Sequence, residues 1–329
     1  MADTVIPASE RGRAVLTRIG FESAPGTIAG AWQPVRFYDL TAGQERPLVK
    51  DDQLGVALAN ERDATARRQG LPGGQLRRVA PLNLSEIGWW LSLGMSRAAP
   101  TGAPSDYVHV FSSGAGPTDT ATLLQKFATD DYQWDLGCAL ASFRLQAAKA
   151  ETVARLDMTL IGLSDASDDA APAGTVASAY AATESFSDWR WRVLLNDVLV
   201  GEALNIDLNV DFGVERVQGM SGDEWPTKHH FGEVMVNGNL NLYGRAAAIR
   251  ALGDSGAAQK IELVATHPDD ATNRLISFVL NAAQFSKPQR PVSGPGQMSA
   301  GFSFEASQGA ALPALVVTLK NGVSTYTPA

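Results

Sequence analysis

The 329-residue chain holds one cysteine, Cys138, and four histidines. A single thiol cannot close an intrachain disulfide, and it excludes a Cys-based metal cluster. Such usage fits a chain made in a reducing cytoplasm, with Cys138 serving as a small buried hydrophobe. No apolar run approaches the roughly 18 residues that a membrane-spanning helix needs. The opening residues, MADTVIPASERGR, lack a basic region followed by an apolar stretch, so no secretory signal is expected. Clustered positive charge is scarce as well. The formal net charge is −8, and no basic run exceeds the pairs Arg67-Arg68 and Arg77-Arg78. A surface that grips nucleic acid needs clustered Lys and Arg to displace counterions, so tight DNA binding is not expected.

Catalytic signatures are missing in the same way. The chain contains no phosphate-cradling glycine loop, nucleophile elbow or metalloprotease helix motif. His229 and His230 are adjacent, so a strand would point them to opposite faces, away from a shared ion. His109 alternates within a strand-like segment, and His267 precedes Pro268. The pairs Asp51-Asp52, Asp130-Asp131, Asp168-Asp169 and Asp269-Asp270 sit where turns are expected, because Asp bonds its own backbone there. Asp165, Asp168 and Asp169 lack the glycine-centred loop of a calcium site. No enzyme, cofactor or metal site is therefore expected.

What is present is a strand-rich globular pattern. Hydrophobic residues make up 45% and charged residues 19%, enough apolar surface for a substantial core. Strand character is read at residues 32–40, 107–112, 120–128, 139–146 and 151–162, then at 189–195, 204–210, 260–266, 275–280, 297–306 and 315–319. The clearest is RLDMTLIG, where Leu156, Met158 and Leu160 alternate with Arg155, Asp157 and Thr159, as a sheet with one wet side requires. Residues 163–184, rich in Ala, Ser, Asp and Gly, read as a linker between two halves.

Those halves share a motif. Residues 74–94, GQLRRVAPLNLSEIGWWLSLG, are answered at 232–253 by GEVMVNGNLNLYGRAAAIRALG, and one inserted residue aligns them. Each runs through a strand into Leu-Asn-Leu, then changes to helical spacing. In the first copy Asn83 is the expected N-cap with Glu86 completing a capping box, Leu84, Ile87 and Leu91 form the apolar face, and Gly94 is the stop. In the second, Asn241 takes the cap position, Leu242, Ile249 and Leu252 the apolar face, and Gly253 the stop. RQGL at residues 68–71 is similarly answered by VQGM at 217–220. The fold class expected is α+β, mainly β, with two tandem β-sandwich or barrel domains, each with one flanking helix: residues 1–163, a linker at 164–184, and 185–329.

Residues 59–73 and 212–231 are polar, glycine-bearing and poorly periodic, and read as arms that pack on other subunits. The candidate inter-subunit contacts are Arg62, Arg67, Arg68, Glu215, Arg216, Glu224 and Trp225. An alternative reading is a two-domain carbohydrate-binding or adhesion module using Trp89, Trp90, Trp189 and Trp191 as a ligand platform.

The order GLPGGQLRRVAPLNLSEIGWWLSLG, YVHVF, a Gly-Pro-Thr segment, LGCALASFRLQ and TVARLDMTLIGL resembles the tail tube proteins (major tail proteins) of long non-contractile phage tails. The resemblance implies a structural virion protein made in the host bacterial cytoplasm. It would self-assemble into stacked rings that form the conduit for genome ejection, with DNA passing through without tight binding. A duplicated chain implies a trimer with pseudo-six-fold symmetry. The resemblance also implies tape measure, terminator and distal tail proteins as partners, and no membrane.

Overall fold

In the computed structural model, the residues described are 12–50, 67–104, 106–128, 130–148, 154–181, 185, 190–200, 203–220, 224–243, 251, 253–267, 270–287, 299–309 and 311–326. The first half contributes β1 (Leu16–Phe21), β2 (Ala31–Pro34), β3 (Asp39–Leu40), β4 (Leu48–Lys50), β5 (Arg67–Gln69) and β6 (Leu76–Pro81). Helix α1 (Ile87–Leu91) follows, then β7 (Ser96–Arg97), β8 (Tyr107–Ser112), β9 (Ala121–Ala128), β10 (Asp131–Ala148), β11 (Arg155–Ile161), β12 (Ser164–Asp168) and β13 (Thr175–Val176). The second half supplies β14 (Trp191–Leu195), β15 (Val198–Leu199), β16 (Ala203–Asp211), β17 (Val214–Val217), β18 (Lys228–Phe231) and β19 (Met235–Tyr243). It closes with β20 (Gln259–Thr266), β21 (Leu275–Phe285), β22 (Ser299–Ser307) and β23 (Leu315–Asn321).

One pairing order occurs twice. In the first half the antiparallel sequence of neighbours is β2-β1-β9-β10-β11-β6-β3, with β12 on the second edge of β10. In the second it is β15-β14-β20-β21-β22-β19-β16, with β23 on the second edge of β21. A two-stranded ribbon, β4-β5 or β17-β18, is inserted between β3 and β6 and between β16 and β19 respectively. The halves join where β16 lies against β10 and where β8 lies against β23. Among the described residues the pairings branch and do not return to close a barrel.

Alternation explains the layering. Ile206, Leu208 and Val210 of β16, Leu240 and Leu242 of β19, and Phe302 and Phe304 of β22 all point to one side and are buried, while the intervening polar residues face out. A single apolar core extends from Ile19 to Tyr326, so strands of both halves share one interior. α1 is buried at all five residues. A smaller cluster of Ala29, Trp32, Leu124 and Trp134 fills the outer side of β9 and β10.

Several local expectations are corrected. Asn83 caps the turn that leads into α1 rather than the helix itself, whose N-cap position is Glu86: the Asn83 Oδ1 accepts from Ser85 N at 3.0 Å and Glu86 N at 3.2 Å. Glu86 makes no reciprocal box, because its carboxylate instead accepts from Arg36 Nη1 at 2.6 Å and Arg36 N at 3.1 Å. Gly94 does not adopt a left-handed conformation. Glycine is needed there because a Cβ would lie 2.7 Å from the Phe212 ring. Asn241 is no cap, since it lies inside β19. Helical residues come later, at 251 and 253–255, and the positive-φ residue after them is Gly256 rather than Gly253. Residues 163–184 are not merely a linker. β12 pairs with β10 and β13 runs parallel to β2, because backbone groups along those sheet edges need partners whatever the composition of the strand that supplies them.

Candidate functional site

An organised polar surface covers the outer face of β6-β11-β10-β16-β19-β22, three strands from each half. Its rows run straight across the register. One row reads Asp39, Val79, Asp157, Arg144, Asn209, Asn237, Glu305 and Gln284, each opposite the next. The next reads Arg155, Gln146, Asp207, Asn239 and Ser303. Arg77 bridges Asp157 at 2.8 Å and Asp39 at 3.1 Å, and Arg144 grips Asp207 through Nε at 2.8 Å. These carboxylates hold both guanidinium groups above their ordinary range, chiefly through the side-chain hydrogen bonds from Asp157 and Asp207. Each arginine of those pairs is thus already neutralised within the face.

Toward β22 the charges give way to amides. Asn209 Nδ2 donates to Asn237 Oδ1 at 3.5 Å, Asn241 bonds Asn205, and Ser303 Oγ donates to Asn239 Oδ1 at 2.7 Å. Asparagine is disfavoured in strands, so its recurrence at alternate positions in LNIDLNV and VNGNLNL was a legible signal that the pattern reading passed over. The face as a whole carries Arg77, Arg144 and Arg155 against Asp39, Asp157, Asp207, Asp211 and Glu305, so it is net acidic.

The two ribbons form a second surface. All six residues of β4 and β5 are exposed, including Arg67 and Arg68. Arg46, at the base of that ribbon, ion-pairs with Glu224 and stacks 4.8 Å from the Trp225 ring, so the loop of the other ribbon braces it. Glu215 is exposed. Arg216 is half-buried, its Nε donating to Gly162 O at 2.8 Å and its Nη2 to Gly74 O at 2.7 Å. It thereby locks the second ribbon onto the first half. Cross-strand from it, His229 bonds Gly137 O through Nε2 at 2.6 Å. Burial, followed by the nearby Arg216 cation, holds the His229 imidazole below its ordinary range despite that hydrogen bond. Leu48, Val49, Leu71, Val217 and Met220 leave apolar surface exposed on the ribbons. Arg62 lies outside the described residues.

Beneath the face, Arg78 of β6 is fully buried against Trp90, with its guanidinium 5.4 Å from the ring. With its amide oriented to satisfy its neighbours, Gln125 accepts from Arg78 Nη2 at 3.0 Å and donates to Gln133 O at 2.8 Å. Burial drives the Asp135 carboxyl up to about 7, although the Arg78 cation pulls it down. This network is interior and reaches no open surface. Trp89 and Trp90 are buried too, which removes them as a ligand platform. Trp189 lies outside the described residues.

A strand-rich protein with a polar sheet face and exposed, partly apolar ribbons has surfaces suited to assembly. The chain belongs to the phage tail tube protein family, whose description, "Phage tail tube protein", matches residues 12–306. No curated protein matches it. It is a structural component of a phage tail, and among the described residues no helix is long and apolar enough to cross a membrane.

Proposed function

We propose that copies of this chain close into rings and that the rings stack into a tube with the polar sheet face turned toward the channel, through which the genome is ejected. The observation that carries this reading is the face itself. It is continuous across both halves, its arginines 77 and 144 are paired to carboxylates, and amides fill the remainder. A wall with unpaired cations would gain affinity for phosphate with every contact and retard transit, whereas a paired and net acidic one lets a polyanion slide.

The repeated pairing order supports reading residues 1–163 and 185–329 as two copies of one tube unit joined through residues 164–184. Three chains would then present six similar units around a ring. The braced ribbons, with their exposed apolar residues, suit contact with the next ring, since an isolated two-stranded ribbon is only marginally stable in water. At its ends such a tube would meet the tape measure, terminator and distal tail proteins.

Negative-stain electron microscopy of the purified chain should show rings or tubes, and filter binding at low salt should show no submicromolar retention of duplex DNA. Dispersed monomers at every concentration would refute assembly, and tight DNA retention would refute the channel wall.

A further inference from the structure

The chain contains, inside itself, one junction between equivalent units, and that junction specifies a register. At β10-β16, Arg144 stands opposite Asn209 and Phe143 opposite Val210. Equivalent residues follow from shared neighbours. Aligning Leu82-Asn83-Leu84 on Leu240-Asn241-Leu242 places Val79 on Asn237. Val79 faces Asp39 and Asp157, and Asp157 faces Arg144. Asn237 faces Asn209 and Glu305, and Glu305 faces Gln284. Asp39 therefore corresponds to Asn209, and Gln284 corresponds to Arg144.

Among the described residues, the edges that make this junction internally are uncovered at the two ends of the sheet. Among the described residues β3 has only β6 beside it, whereas its counterpart β16 has both β19 and β10. Beyond Ala283, β21 has only β22 beside it among the described residues, whereas β10 in the same stretch has both β11 and β16. Side chains agree. Tyr38 occupies the position of Leu208, which is fully buried at the internal junction, yet Tyr38 is 50% exposed. With Leu16, Phe37, Leu40, Pro81 and Phe127 it lines an open apolar groove along β3. Unpaired backbone edges flanked by exposed apolar surface are what a further strand covers.

We propose that neighbouring copies join edge to edge through β3 and the end of β21 in the register of the internal β10-β16 junction, with Asp39 of one copy opposite Gln284 of the next and Tyr38 opposite Phe285, as Leu208 stands opposite Leu145 inside the chain. This rests on the ring reading and adds its contact residues. The contact is heterologous, so it propagates from copy to copy until the ring closes. It also carries the polar row across the seam, from the Gln284 amide directly to the Asp39 carboxylate.

Cysteine cross-linking tests the register cleanly, because Cys138 is fully buried. Opposed residues of antiparallel strands bring Cα atoms to about 4.5–5.5 Å, within disulfide reach, and a diagonal offset of two residues exceeds it. Within one chain, Asp39 and Gln284 lie seven strand spacings apart, roughly 34 Å, so their disulfide can form only between chains.

Assembled tubes of the Asp39→Cys/Gln284→Cys variant should oxidise to covalent multimers on non-reducing gels. The yield should be at least roughly tenfold above Thr41→Cys/Gln284→Cys, because only the former falls within the disulfide range. Tubes that form without cross-links, or that cross-link equally in the shifted pair, would overturn the register and leave the ring reading standing. Wild-type protein that never assembles would sink the ring reading itself. If the double variant fails to assemble, hydrogen exchange on wild-type tubes decides: residues 38–41 and 284–286 should gain protection over the free chain, and no gain overturns the proposal.

Discussion

Gly88 offers a sharp test of how the two ends of the chain are locked together. A Cβ placed on it would lie 2.3 Å from Cε2 and Cζ of Tyr326, whose ring lies across α1. Tyr326 is fully buried. Its hydroxyl donates to Ser85 O at 3.1 Å and accepts from Asn321 Nδ2 at 2.6 Å, while Asn321 also donates to Leu84 O at 2.8 Å. The ring cannot retreat without breaking these bonds. In Gly88→Ala the helix gains about 1 kcal/mol of propensity. Against this stand overpacking of about 1–3 kcal/mol and the loss of two buried hydrogen bonds at about 1 kcal/mol each. The net expectation is destabilisation by roughly 2–4 kcal/mol, because the steric and hydrogen-bond costs exceed the propensity gain.

The assay is urea unfolding of the unassembled chain in a double-mutant cycle with Tyr326→Ala. That change alone should cost about 3–5 kcal/mol by cavity formation. In its background Gly88→Ala should be neutral or stabilising by up to about 1 kcal/mol, since only the propensity term remains. A Gly88→Ala variant at least as stable as wild type, or one whose cost persists without the Tyr326 ring, would refute the argument.

Three further outcomes are expected. Asp135 titrates at about 7 in the folded chain, above its ordinary carboxylate value of 3.8, so its contribution to stability is complete at acid pH and is lost as pH rises through about 7. Asp135→Asn should flatten the dependence of unfolding free energy on pH across that range, and an unchanged slope would contradict it. His229 acts in the opposite sense. Its docked imidazole is depressed below 6.5, its Nδ1 is buried without a partner among the described residues, and Arg216 lies directly across the ribbon. Docking of β17-β18 should be intact above pH 6.5 and weaken as pH falls below it. Hydrogen exchange at residues 228–231, corrected for intrinsic rates, should show this in wild type but not in His229→Gln. Finally, Glu224→Arg would set a cation against Arg46 and release the brace between the ribbons. Sedimentation should show tube growth impaired while circular dichroism stays unchanged, and normal tubes would count against a role for the ribbons in stacking.

The sequence by itself determined the local grammar: the alternation that makes β11 a half-wet strand, the Asn83 turn ahead of α1, and the Leu-Asn-Leu pattern written both after β6 and within β19. These are short-range properties, set by side-chain period and by backbone groups that bond within a few residues. The scarcity of basic clusters likewise matches the net acidic balance of the outer face. Where a residue's role depends on what meets it from far along the chain, pattern was silent or misleading. Gly94 is glycine because of Phe212, Glu86 belongs to Arg36 rather than to its own helix cap, and Arg216 is held by two carbonyls of the first half. The weakly patterned residues 164–168 and 175–176 became strands because sheet edges on β10 and β2 needed partners. Above all, the polar wall is a register effect. Asn209 meets Arg144 and Asn237 only once β16 is seated between β10 and β19, and backbone hydrogen bonding between distant strands, which leaves no local periodicity, decides that placement.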